Sequence, residues 1–527
     1  MRAFIQQQRL HDWWDPAVVF DTLYRDARHA FWLDAGPGAQ AGFSYLGAAH
    51  HGSRLVTASV PDGTVTVSYP VGDVTGNLLD AGTDGPARTV TSMGSIFDFL
   101  RADFADIPHL TALPDPATEP AIPGTFQLGW VGWLGYELGS VGVGAPAHPS
   151  RFEDATLLDV DRVLVFDHAA HTVTLLSDPR TAGEVTAWAL EVEHLLAERH
   201  PATPTPTPTP ATATATPSVA GPVGAPARWR HSAREYADLI HQCQSVIRRG
   251  DAYQLCLTNE ILIDGTFDVD AVYARLRAGS PSHHGGLLRF GDVSLLSASP
   301  EQFLSVTADR RVRSKPIKGT RARSHDPVRD EELRHELVTS DKERAENLMI
   351  VDLMRNDLGR TAALGSVRVR DLLAVESYPA VHQLVSTVEA RLADGLTAID
   401  LLQTCFPAGS MTGAPKRSAM THLVALEAGP RGIYSGAFGY LSRTGTVDLA
   451  MVIRSIVLTP GQAAIGTGGG ITALSDPQEE IAETQLKADA LTRALGLPGT
   501  HLASPDTPER PVPANLEEWS TPTGVSA

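Results

Sequence analysis

Cysteine is scarce: Cys243, Cys256 and Cys405 are the only three in 527 residues. They are too few and too scattered for a disulfide framework or a cysteine-based metal site, and they fit a reducing cytoplasm. Long apolar runs are missing too. Nowhere do about 18 uninterrupted apolar residues occur, so no membrane-spanning helix is expected. The opening residues, Met1 to Ile5 followed by three glutamines, lack the apolar stretch of a secretory signal. Basic charge is in the minority, with 43 Lys and Arg against 61 Asp and Glu and a net charge of -18. That balance disfavours nucleic acid and anionic membrane as partners, and an anionic substrate would need a local basic site. No repeat of about 20–50 residues is evident, which argues against a solenoid. The expectation is a soluble, cytoplasmic protein.

What is present is enough apolar residue, 43%, to fill a large core. The length exceeds what one core usually serves, so two lobes are expected. Alternating Thr-Pro from Thr203 to Pro210, then Ala-Thr and Gly/Pro/Ala up to Pro226, mark a linker at 201–231, because proline removes donors and fixes φ. The domain reading is 1–200 for a first lobe, 232–497 for a second, and 498–527 for a disordered tail. Strands are expected in the first lobe at 42–46, 55–60, 65–69, 126–136 and 162–167, and helices at 95–102 and 181–199. In the second lobe helical periodicity covers 234–249, 327–358, 398–405, 416–428 and 477–495. Strand-like runs fall at 253–263, 286–297, 302–306, 437–441, 447–458 and 462–467.

Two helices carry paired carboxylates. Glu480, Glu483 and Lys487 share one face of a helix that Asp476 can cap and Pro477 can open, and Glu343 with Glu346 repeats the device. Four carboxylates from two helices could gather a hard cation such as Mg²⁺; equally, each pair could be a solvated helix face. Between them runs Ile465-Gly466-Thr467-Gly468-Gly469-Gly470-Ile471. Its glycines could bring backbone N–H groups against an anion or simply make a tight turn. The run lacks the Gly-Lys-Ser/Thr of a Walker loop and the spacing of a dinucleotide fingerprint.

The second lobe resembles the chorismate-utilising enzymes: anthranilate, aminodeoxychorismate, isochorismate and salicylate synthases. The resemblance rests on Ser299-Pro300-Glu301, Pro316-Ile317-Lys318-Gly319-Thr320-Arg321, stretches 343–347, 352–360 and 406–416, Tyr434-Ser435-Gly436, 466–471 and 480–487, in family order. It implies an α+β fold of two lobes, with antiparallel sheets packed as a sandwich, helices outside, and chorismate in the C-terminal lobe. It also implies that Glu346 and Glu483 bind Mg²⁺ directly, Glu343 and Glu480 through waters. Arg454, Tyr434, Lys487 and the backbone at Gly468 and Gly469 would grip carboxylates, Thr320 and His382 would line the ring, and Glu301 would protonate the departing C4 hydroxyl.

Two positions bear on the reaction. Gln254 stands where water-adding members of the family carry a lysine base, and a neutral amide cannot take that role. Lys318 gives Pro-Ile-Lys-Gly-Thr, the form that aminodeoxychorismate synthases share, where anthranilate synthases usually have alanine. The resemblance therefore implies a lysine that attacks C2 of the ring before ammonia enters at C4, and a partly neutral amine, with Arg321, Arg323 and Mg²⁺ as local positive charges. By composition alone, Lys318 could be an exposed loop lysine. Phe31 to Gly36 and Gly42 to Tyr45 occupy the place of a Leu-Leu-Glu-Ser feedback motif, which is absent, and Ala35 lacks its hydroxyl. No glutaminase signature is present, so ammonia is expected from a glutamine amidotransferase subunit. The rival readings are the anthranilate-forming enzyme and a catalytically idle paralogue that binds chorismate or an aromatic amino acid. The set Glu301, Lys318, Glu346 and Glu483 argues against idleness.

Overall fold

A computed structural model describes residues 5–50, 52–69, 88–106, 126–178, 185–199, 227–378 and 381–497. The expected linker residues 201–226, the expected tail 498–527 and the first turn of the helix expected at 181–199 lie outside the described residues.

Two antiparallel sheets, each of twelve strands among the described residues, make the architecture. The first runs Gln6–Arg9, Thr172–Ser177, Arg162–Asp167, Phe43–Ala48, His29–Asp34, His284–Phe290, Val293–Ser299, Ser455–Thr459, Gln462–Ile471, Gln254–Asp264 and Ala227–Trp229, with Gly413–Ala414 joined to Gln254–Asp264. The second runs Ile317–Ala322, Val381–Arg391, Arg311–Ser314, Gln302–Val306, Val447–Met451, Ala437–Ser442, Gly129–Leu134, Ala155–Val160, Leu55–Ser59, Thr64–Tyr69 and Arg88–Met93, with Arg368–Ser377 joined to Val381–Arg391. Each sheet takes strands from both halves of the chain. His29–Asp34 pairs with His284–Phe290, and Gly129–Leu134 pairs with Ala437–Ser442.

Alternation along the strands sets the layers. Phe31, Leu288 and Val457 of the first sheet meet Val131, Leu158 and Phe438 of the second in a shared core, while their neighbours Trp32, Leu287 and Ile456 face the opposite way. Those outward residues are covered by helices Pro16–Tyr24, Val185–Arg199, Val269–Gly279 and Pro477–Ala494. The outer face of the second sheet is covered by Ile96–Asp106, Asp341–Gly359 and Ala398–Cys405. The expected α+β sandwich with helices outside is the observed one. Central strands are buried on both faces, as Gly129–Leu134 is at every position, so they read as apolar runs rather than alternating ones. Among the described residues no helix is long and apolar enough to cross a membrane.

Several expected elements are divided. The helical pattern at 327–358 is two helices, Pro327–Thr339 and Asp341–Gly359, parted where Ser340 turns extended and its hydroxyl accepts the Glu343 N–H. The run at 286–297 is a hairpin, His284–Phe290 with Val293–Ser299. The run at 447–458 is two strands in different sheets: Val447–Met451 lies in the second and Ser455–Thr459 in the first. The chain crosses between the sheets at Val452 to Arg454, and Arg454 takes a φ of +52° to make the crossing. The glycine run is not a turn but the end of the strand Gln462–Ile471.

Candidate active site

A cavity of about 440 Å³ opens where the end of the Gln462–Ile471 strand, the Ile317–Ala322 strand and the two acidic helices converge. Its lysine comes from an irregularity. Pairing of Ile317–Ala322 with Val381–Arg391 shifts register between Ile317 and Thr320, which frees Lys318 and Gly319 from the ladder. Gly319 takes φ +80°, and a Cβ there would lie 2.9 Å from the Glu343 carboxyl, so only glycine suits the position. Lys318, its side chain 14% exposed, reaches to 3.8 Å from Glu346 Oε2.

The two expected arginines are paired with acids. Arg321 lies 3.4 Å from Glu336 and 3.6 Å from Glu343, and Arg323 is taken by Asp330 at 2.8 Å. Burial favours the neutral amine, but Glu346, then Cys256, Glu301 and Glu483, outweigh it and hold the Lys318 pKa above its ordinary value. Without a cation among these carboxylates, their charge favours the ammonium form of Lys318.

Glu301 follows the Val293–Ser299 strand and is 7% exposed. Ser299 Oγ accepts its backbone N–H at 3.4 Å, and Ser410 Oγ donates to Glu301 Oε1 at 3.1 Å. Burial pushes its pKa up to about 7, with Lys318 pulling the other way.

The four helical carboxylates all line the cavity, each beside its own cation: Glu343 by Arg321, Glu346 by Lys318, Glu480 by Lys342 at 3.5 Å, and Glu483 by Lys487 at 2.8 Å. Burial raises the pKa of Glu346 and Glu480. It raises Glu483 too, but Lys487, Lys342 and Lys318 prevail and hold that carboxyl below its ordinary value. The donor set is all oxygen and suits a hard divalent cation. Among the described residues, however, no three of these groups are gathered closely enough to hold one as they stand.

The glycines form the opposite wall. Gln462–Ile471 pairs with Gln254–Asp264 along its whole length, but with Ser455–Thr459 only as far as Ile465, so one edge is unpartnered from Gly466 on. Thr258 gives its N–H to Glu427, and the Glu260 carbonyl accepts from Arg230. Their partners Gly468 and Gly466 therefore occupy non-hydrogen-bonded positions and turn N–H and C=O to the free edge. The Gly468 carbonyl accepts from Lys487 Nζ at 2.7 Å. A Cβ on Gly466 would sit 2.1 Å from the Tyr434 ring, so the glycine lets the tyrosine lie flat on the strand. Tyr434 and Arg454 both line the cavity; the Arg454 carbonyl accepts from the Ala298 N–H at 3.1 Å, while its guanidinium makes no hydrogen bond or ion pair among the described residues.

Of the residues singled out from sequence, Lys318, Glu301, Thr320, Tyr434, Arg454, Gly468, Lys487 and the four glutamates line this one cavity. Gly469 is on the alternate phase, beside Glu480. Gln254 is 1% exposed behind Gly470, with Oε1 buried and unbonded. His382 is not brought to the cavity: its ring meets Ser377 at 2.7 Å and Asp330 at 3.1 Å, while Gln383, on the other face of the strand, lines the cavity. Sequence reasoning also passed over Ser410 and Lys342, although both lie in or beside stretches that carried the resemblance.

A glycine-edged strand, an acid and a lysine facing two acidic helices belong to a known class. The profile of the chorismate binding enzyme family matches residues 82–493, and the chain belongs to that family. Within it, the chain is 42% identical to the aminodeoxychorismate synthase of Streptomyces griseus over 92% of its own length and 63% of that protein's. It is 38% identical to aminodeoxychorismate synthase component 1 of Salmonella typhimurium, covering 73% of this chain and 81% of the relative. Among solved structures, anthranilate synthase component I from Streptococcus pneumoniae superposes with a TM-score of 0.66 at 28% identity, over 87% of this chain and 93% of that one. The chain thus spans less than two thirds of the length of the Streptomyces relative.

Proposed function

We propose that the chain performs the chorismate-aminating reaction of an aminodeoxychorismate synthase, forming 4-amino-4-deoxychorismate on the way to 4-aminobenzoate and folate. The observation that carries this is Lys318 and Glu301 in one buried cavity, a nucleophile and an acid facing the same space. Burial keeps part of the Glu301 population protonated near neutrality, as an acid for a hydroxyl leaving group requires. Once Lys318 has shed a proton, its lone pair forms the bond to ring C2, both ring double bonds shift (C1=C2 to C1=C6 and C5=C6 to C4=C5), and the C4–O bond breaks. Glu301 supplies the proton with which the oxygen departs as water. Ammonia then attacks C4, both double bonds return to their places, and the C2–N bond breaks as the lysine nitrogen takes up a proton in exchange for the one the incoming nitrogen sheds. Arg454, Tyr434, Lys487 and the free strand edge at Gly468 bind the substrate carboxylates, Thr320 lies beside the ring, and Gln254 backs the lysine.

Enzymes of this family are generally Mg²⁺-dependent. Here Glu346 and Glu483 would bind the ion directly and Glu343 and Glu480 through waters, and the ion when bound supplies positive charge for the ring carboxylate. Ammonia comes from a glutamine amidotransferase subunit. Three buried free cysteines suit a cytoplasmic setting.

The test is product analysis after incubation with chorismate, Mg²⁺ and ammonium. Aminodeoxychorismate, converted by a lyase to 4-aminobenzoate, is expected. Fluorescent anthranilate would mean the anthranilate-forming reaction instead, and unchanged chorismate an idle paralogue.

A further inference from the structure

We infer that Ser410 is a positioning residue for Glu301: its hydroxyl holds one carboxyl oxygen so that the other, which carries the proton, is offered to the departing group. This deepens the reading of Glu301 as the general acid and rests on it. Ser410 is 4% exposed, lines the same cavity, and donates to Glu301 Oε1 at 3.1 Å.

The turn Gly409–Met411 that carries the hydroxyl is clamped from three sides. Gly409 is pressed against Leu353 of the Asp341–Gly359 helix, so closely that a Cβ would lie 2.5 Å from Leu353 Cδ2. The Met411 carbonyl accepts from Arg431 at 2.6 Å, and Arg431 is held by Glu427 at 2.7 Å with both side chains almost fully buried. The Thr412 hydroxyl closes the turn on the carbonyls of Ala408 and Gly409, each at 3.3 Å. On the other side, Ser299 bonds both the N–H and the carbonyl of Glu301. Acid and hydroxyl therefore meet between two fixed supports.

A neutral carboxyl group carries one proton, and a hydroxyl that donates to Oε1 leaves that proton on Oε2. When Oε2 passes its proton to the leaving oxygen, the C4–O bond pair goes with the oxygen, water departs, and Glu301 becomes a carboxylate. The Ser410 bond is then charge-assisted and stronger than before, so it favours proton donation over its reverse. The charged group facing Glu301 is Lys318 of the Ile317–Ala322 strand, and the other donor directed at it is the Ile317 N–H. Ser410 is the hydroxyl bonded to this carboxyl among the described residues.

The experiment compares S410A and S410T with wild type and E301Q, reading kcat and chorismate KM against pH with Mg²⁺ and ammonium. For S410A, kcat is expected to fall roughly tenfold with KM within about twofold, as a lost hydrogen bond to a developing charge requires. Its alkaline limb should move up by about half to one pH unit, because the carboxylate has lost a stabilising donor. S410T should restore both. A limb that stays in place, with or without a fall in kcat, overturns the positioning role. If S410A does not fold, S410C, similar in size but a weaker donor, is read the same way. An E301Q variant with undiminished rate would instead overturn the reading of Glu301 itself, which separates the two failures.

Discussion

A lysine attacks carbon only after losing a proton, and the acids around Lys318 hold that proton more firmly than water does. On the proposed mechanism, substrate and a bound cation must loosen that proton. Lys318→Ala removes the covalent route but leaves the carboxylate grips and Glu301 in place, which still position and stabilise. Amination should drop by roughly two to four powers of ten, about 3–5 kcal/mol of barrier, with smaller change in chorismate binding. Wild-type protein given chorismate and Mg²⁺ without ammonia should show a ring-derived mass adduct on the peptide holding Lys318. An alanine variant that aminates C4 at full speed removes the lysine from the mechanism. On the proposed mechanism Glu301 contributes one limb of the pH response. Its active form is protonated, present below a pKa of about 7 and lost as pH rises through that value. Once Lys318 is neutral in the substrate complex, the rate should decline on the alkaline side from about pH 7, and an E301Q variant that keeps the wild-type rate and pH profile excludes Glu301 as the acid.

At the scale of elements, the strand Gln462–Ile471 is the part most sensitive to small change. Gly466→Ala puts a methyl group into the Tyr434 ring and should cost about 1–3 kcal/mol of stability, lowering the melting temperature by a few degrees, while raising chorismate KM. A variant with unaltered melting and KM would show that the ring is free to step aside. The acidic helices were legible in sequence because spacing of three and four residues has one meaning on a helix, and Asp476 with Pro477 marks the start of the second as expected. The glycine run stayed open between an anion cradle and a tight turn because glycines carry no side-chain alternation, and only the missing strand partner past Ile465 shows its free edge. His382 and Gln383 illustrate another limit: period two shows that they face opposite ways, but not which way is inward. The pairing of Arg321 and Arg323 with acids on a neighbouring helix could not be foreseen either, since nothing local brings Glu336 or Asp330 to them.

At the scale of the whole molecule, the sandwich was legible in class but its strand order was not, because the decisive pairings join residues hundreds of positions apart. Both sheets are stitched across the two halves, and the core between them draws on both: Phe31, Val131 and Trp133 pack with Leu288, Phe438 and Val457. Residues 227–527 expressed alone should therefore expose apolar sheet edges, bind a hydrophobic dye and lose near-ultraviolet dichroism, whereas co-expression with 1–200 should restore both folding and turnover. A soluble, active 227–527 fragment would contradict this account. The same stitching sets a timetable for synthesis. His29–Asp34 and Gly129–Leu134 leave the ribosome long before His284–Phe290 and Ala437–Ser442, the strands that complete them. At about 5–20 residues per second, the first half waits on the order of tens of seconds with bare strand edges, which makes the nascent chain a client for chaperones that shield such edges until the second half arrives.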